Sequence, residues 1–162
     1  MKIAAEIQAR LAFLVRVVEK EIEHLDYADQ QVFSSSFNRT SIENLAQTPE
    51  YALKIEAFSS RFCRLQDTLG DKLLPALLAA LGEFPKALLV NLDKAEKYGW
   101  LTSAEQWIAL RQLRRNRMIH EYIDDPDIFY SALVAAHNNL SLIKDFAGYL
   151  NKQVAELLSE VS

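Results

Sequence analysis

The chain has 162 residues, half of them apolar and a quarter charged, with 18 basic and 22 acidic side chains for a net charge of −4. That length suits one domain, residues 1–162, with a real core, and the acidic balance excludes a general nucleic-acid coat. Four glycines and four prolines are too few for the turns of a β-sandwich, and no apolar run is long enough to cross a membrane.

From Lys2 to about Tyr27, the residues Ile3, Ile7, Leu11, Leu14, Val18, Ile22 and Leu25 recur at steps of three and four, which predicts a long amphipathic helix. Arg10, Arg16 and Glu19 interrupt its apolar residues and no small-residue cleavage site follows, so this start does not resemble a signal peptide. A cytoplasmic protein is expected, and the lone Cys63, in an apolar helical pattern, fits a reducing compartment. "DQQVFSSSFNRTS" then breaks the pattern, and Thr40 or Ser41 is placed to cap a short helix through Ala46.

Thr48, Pro49 and Glu50 are an N-cap, a first-turn proline and a first-turn acid, and they open a helix with the stripe Phe58, Phe62, Leu65, Leu69 and Leu73. Pro75 is expected to kink or break it near Lys72. "GEFP" at 82–85 makes a turn, and the helix "KALLVNLDKAEKYG" ends with Gly99 as its cap. Thr102 and Glu105 have capping-box spacing at the start of a helix that carries "EQWIALRQLRRNRMIHEY". "DDPD" at 124–127 stops it, and a last helix runs from near Asp127 to about Leu158. The prediction is all-α, an up-and-down bundle of about five helices with short links and no internal repeat.

The one concentration of chemistry lies at Arg111, Arg114, Arg115 and Arg117, four cations in seven residues, followed by His120 and Tyr122. At helical spacing, with Arg115 at zero, Asn116 falls at about 100°, His120 at about 140° and Tyr122 at about −20°. One wall of a cleft can hold all four. Ile108, Leu110, Leu113, Met118 and Ile119 share no single stripe, as in a helix that packs on two partners. A guanidinium binds a phosphate through two parallel hydrogen bonds, and an imidazole moves a proton near neutral pH. Together they suffice for metal-free cleavage of RNA, in which the ribose 2′-hydroxyl attacks the phosphorus. DNA lacks that hydroxyl.

"RNRMIHEY", Arg115 to Tyr122, resembles the R-x4-6-H motif of the HEPN superfamily, and more closely the R-x4-H-x-Y form of the HepT-type toxins. By that resemblance Arg115 and His120 are the catalytic pair, Asn116 the polar residue after the arginine, and Tyr122 the motif tyrosine. Arg111, Arg114 and Arg117 are then placed to guide the RNA backbone. The resemblance implies a small all-helical ribonuclease toxin without a metal or other cofactor, with two motifs meeting in a homodimer. It also implies an antitoxin of the minimal nucleotidyltransferase class, which transfers AMP units from ATP to Tyr122. The rival reading is a non-catalytic helical partner or substrate-binding subunit of a nucleotidyltransferase.

Three other groups of side chains carry polar or aromatic chemistry. Glu21 and His24 form Glu-x-x-His, half of a di-iron motif, but no second copy exists elsewhere. Arg61, Arg64, Asp67 and Asp71 share the polar side of the middle helix, as intrahelical ion pairs or as groups facing the cleft. His137, Asn138 and Asn139 read as helix-surface residues, and Phe58, Phe62, Trp107, Phe129 and Tyr130 as core or interface. There is no phosphate loop, dinucleotide-binding fingerprint or nucleophile motif.

Overall fold

A computed structural model describes residues 3–34, 36–113 and 125–160 of the chain. Among them every regular element is a helix. The elements are α1 (Ala5–Phe33), α2 (Arg39–Glu43), a 3-10 turn (Leu45–Gln47), α3 (Pro49–Asp67), a π-helical turn (Thr68–Leu73), α4 (Leu74–Ala80), α5 (Leu88–Lys97), α6 (Ala104–Leu113), α7 (Pro126–Asn138) and α8 (Leu140–Glu160). No described helix is long and apolar enough to cross a membrane.

α1 outruns its predicted end at Tyr27, because Ala28 and Val32 continue the buried stripe of Leu11, Leu14, Val18 and Leu25 beneath the polar run. α3 lies antiparallel to it. Tyr51 donates to the Val32 carbonyl at 2.7 Å, Arg61 to the His24 carbonyl at 2.9 Å, and Arg64 and Thr68 stand beside Glu21. Lys144 of α8 pairs with Asp26 at 3.0 Å, so α8 joins the same central layer. Phe58, Phe62, Leu65, Leu69, Leu73, Ile143, Phe146, Leu150 and Val154 form one contiguous core with the α1 stripe.

Pro75 does not break the middle helix. Its ring would clash with the carbonyl four residues back, and it has no N–H to donate. The chain instead widens from Thr68 to Leu73, with the Leu74 N–H reaching back five residues to the Leu69 carbonyl, and resumes as α4. The widened turn carries Gly70. A Cβ there would lie 3.3 Å from Leu88 Cδ1 and 3.4 Å from Trp107 Nε1, so the missing side chain lets α5 and α6 close on the turn.

Caps set the links. Asn38, rather than Thr40 or Ser41, caps α2, exchanging hydrogen bonds with Ser41 at 3.2 Å in each direction. Thr48 stands before Pro49 as predicted, but its hydroxyl donates back to the Asn44 carbonyl. Gly82 and Gly99, both at positive φ, close α4 and α5: Glu83 donates to the Leu78 carbonyl and Trp100 to the Ala95 carbonyl, each at 2.9 Å. Asn91 holds the loop before α5 by hydrogen bonds to both backbone groups of Lys86. α6 is capped by Ser103, whose hydroxyl accepts from the Gln106 N–H, and not by the predicted Thr102. Glu96 Oε1 takes the Ala104 N–H at 2.7 Å. The predicted last helix is two, since Asn139 turns the chain and donates its side-chain amide to the Ala135 carbonyl.

Trp107 is the pin of α6. It is fully buried, sits over Gly70 and meets the Phe146 ring edge-on at 4.9 Å. Trp107→Ala should cost about 3–5 kcal/mol of stability, read from urea unfolding followed by circular dichroism.

Candidate functional site

α6 and α7 lead to and from the arginine–histidine segment. Arg114, Arg115, Asn116, Arg117, His120 and Tyr122 lie outside the described residues. The residues on either side, Leu113 and Asp125, line one open groove with Asp127, Ile128, Ser131, Ala132 and Ala135 of α7, of about 520 Å³. Asp125 caps α7, accepting the Ile128 N–H at 3.1 Å.

Arg111 is the described member of the predicted set. It projects from the last turn of α6 onto the start of the π-turn. Its Nη1 lies 3.4 Å from Asp71 Oδ2 and 4.0 Å from Asp67 Oδ1. The two acids are four residues apart on the middle helix, so both face the same way. The polar side noted in the sequence thus reaches across to the helix that enters the arginine–histidine segment.

The same helix meets α1 with different charges. Burial pushes the Glu21 carboxyl above its ordinary range. Thr68, Arg64 and Lys72 oppose that rise and Asp67 adds to it. Oε1 of Glu21 is sealed from solvent without a hydrogen-bond partner among the described residues, and the Thr68 hydroxyl donates to the Arg64 carbonyl at 3.0 Å. Glu21 therefore has the environment of a group that holds a proton more tightly than a surface carboxylate does. In the sequence it attracted notice only as half of a metal motif. The better signal was its place seven residues after Leu14, on the buried face of α1.

Gln66 was missed altogether. It is fully buried, and neither side-chain atom has a partner among the described residues. The Ser59 hydroxyl, two turns earlier, and Trp107 Nε1 are in the same condition.

His137 is not a simple surface residue. Its Nδ1 lies 2.6 Å from Asp29 Oδ1, and its ring stacks on Phe33 with centroids 4.2 Å apart. A pair separated by 108 positions leaves no local sequence signal. It ties the end of α7 to α1. Phe58, Phe62, Trp107 and Phe129 are core, and Tyr130 stacks on Phe37. Cys63 is buried. Among the described residues no group of three or more His, Cys, Asp or Glu side chains could hold a metal ion.

Comparison with protein-family models, with curated proteins and with solved structures gave no match.

The raised carboxyl of Glu21 has a consequence for stability. Ionising it costs more in the folded chain than in the unfolded one. Its stabilising share is whole below the usual 4.5 and is lost as pH rises through the elevated folded value. Glu21→Gln should therefore be favoured over the parent more at pH 7 than at pH 4, read as the difference in urea midpoints at the two pH values. An unchanged difference would contradict the raised value.

Proposed function

We propose that the protein is a metal-independent ribonuclease of the HEPN type, acting as the toxin of a toxin–antitoxin pair. The observation that carries this reading is the stretch Arg115, Asn116, His120 and Tyr122, in R-x4-H-x-Y spacing. The described residues, whose regular elements are all helices, agree with the layout the resemblance implies.

In this reading Arg115 binds the scissile phosphate and stabilises the charge that builds on its oxygens. The ribose 2′-oxygen attacks the phosphorus, and the bond to the 5′-oxygen of the next nucleotide breaks. His120 transfers the proton between the attacking and leaving oxygens, and Asn116 orients the imidazole or the ribose. The products carry a 2′,3′-cyclic phosphate and a free 5′-hydroxyl. Arg114 and Arg117 guide the RNA backbone. A second copy of the chain brings its own motif to the cleft.

Tyr122 is the point of control. An AMP group joined to its hydroxyl, with loss of pyrophosphate from ATP, adds negative charge and bulk two helical turns from Arg115 at α-helical spacing. It then competes with an RNA phosphate for the guanidinium. The donor enzyme is a small nucleotidyltransferase, the antitoxin of the pair.

The test is purified protein with single-stranded RNA or DNA in excess chelator. The parent should cleave RNA to cyclic-phosphate ends and leave DNA intact. Arg115→Ala and His120→Ala should each lose at least about 100-fold in rate with unchanged helical circular dichroism. Undiminished cleavage by His120→Ala would end the mechanism. Salt-dependent RNA binding without products would favour a non-catalytic partner subunit.

A further inference from the structure

We propose that the trough between α1 and α3 docks an acidic segment of a partner protein. The segment seats one large apolar side chain between Tyr27 and Leu53 and sets its carboxylates against Lys54 and Arg61. All four residues belong to α1 and α3, and none has a part in the ribonuclease reading.

Side-chain size makes the trough. Packing brings Tyr27, Ala28 and Gln31 of α1 beside Leu53, Ala57 and Arg61 of α3. Leu53, Ala57 and Arg61 stand one turn apart on one face of α3, as Tyr27 and Gln31 do on α1. Ala28 is buried and Ala57 half-buried, so each helix gives the floor only a methyl group. Tyr27 and Leu53 stand out from the two helices, 61% and 66% exposed. The open volume is about 220 Å³. A single exposed apolar residue is ordinary on a protein surface. Two large ones sharing an alanine floor hold apolar area in water that a partner's side chain would remove.

The charge at the trough has one sign. Lys54 and Arg61 line it and no acidic side chain does, in a chain of net charge −4. Lys54 is exposed and has no ion pair among the described residues. Arg61 donates from Nη1 to the His24 carbonyl at 2.9 Å. That neutral acceptor orders the guanidinium and leaves its charge uncancelled, so a carboxylate meets a donor that is already in place.

Size and charge together select the occupant. Pockets for cofactors and drug-sized ligands run to about 300–1,000 Å³, and this trough is smaller. A nucleic-acid strand calls for cations at successive phosphates, whereas here two cations edge an apolar slot. A second copy docked across a two-fold axis on the same trough would set one cationic patch against another. An acidic peptide with one Leu, Phe or Trp anchor matches both the slot and its rim.

The experiment selects phage-displayed random peptides on the whole immobilised chain, with Leu53→Asp as the counter-selection bait. Leu53 and Lys54 are exposed, so their variants should keep the parent's thermal midpoint, read by circular dichroism. The parent should enrich peptides that carry Asp or Glu around one large apolar residue. A synthetic peptide of that consensus should bind Leu53→Asp about 10-fold or more weakly than the parent. Lys54→Glu should weaken it more at low salt than at high salt, and Lys54→Arg should bind as the parent does. No enrichment over the bait, enriched peptides without acids, or equal binding by every variant overturns the proposal. A dimer in sedimentation that Leu53→Asp returns to monomer would assign the trough to a second copy. Single-stranded RNA that displaces the peptide, and is itself lost in Lys54→Glu, would assign it to nucleic acid. Either result also overturns the acidic partner.

Discussion

Pro75 has no hydrogen to give to the helix that contains it, and the turn before it carries the consequence. The middle helix continues, but only by widening between Thr68 and Leu73. That accommodation places three features on one short length of backbone. Gly70 leaves the space into which Leu88 and Trp107 close. Asp67 and Asp71 stand at the entrance and centre of the turn, facing Arg111. Thr68 and Lys72 stand close enough to Glu21 to oppose the rise that burial gives its carboxyl. A regular helix through the same residues would present a different rotation of 71–73 relative to 64–67, and α6 would meet a different surface. The seating of α6 thus depends on a backbone hydrogen bond that proline cannot make.

The charges divide between two neighbours, with Asp67 felt by both. Toward α1, Arg64 and Lys72 temper a carboxyl that burial would otherwise push higher. Toward α6, Asp67 and Asp71 occupy the first of the four clustered arginines. In a chain of net charge −4, a basic patch has to be made by arrangement and not by composition. With Arg111 turned inward to the middle helix, the positive charge offered to a polyanion in the proposed mechanism belongs to Arg114, Arg115 and Arg117.

The elements were legible in the sequence where periodicity and glycine chemistry spoke together. The stripe from Phe58 to Leu73 is buried as its spacing required, and Gly82 and Gly99 close their helices at positive φ. What escaped were decisions made by tertiary contact. Ala28 and Val32 drew α1 onward into a polar run that breaks the apolar pattern. Asn139 split the last helix, because its amide found the Ala135 carbonyl. Pro75 marked a disturbance correctly, but a break and a widened turn have the same signature in one dimension. Of the site, the polar side of the middle helix was visible, and the direction it faces was not. Glu21 and Gln66 hid inside apolar stripes, where pattern reading treats a polar residue as an interruption.

Those interruptions have a cost that the rest of the chain must cover. Each buried polar atom left without a partner forfeits about 1–3 kcal/mol. Among the described residues such atoms are found on Glu21, Ser59, Gln66, Trp107 and Asn151. Four of these five residues lie on α1, α3 and α6, and Trp107 reaches the π-turn directly. The apolar layer of α1, α3 and α8 supplies the stability, with Leu11, Leu25, Phe58, Leu65, Phe146 and Leu150 almost wholly removed from water. Fold strength and polar tension are therefore held in the same layer, since Glu21, Ser59, Gln66 and Asn151 lie on α1, α3 and α8. Ser59 and Gln66 lie on the middle helix, Trp107 on α6, and Glu21 and Asn151 on α1 and α8, so the unpartnered atoms are spread through the core and each helix that carries one must offset it with apolar burial of its own.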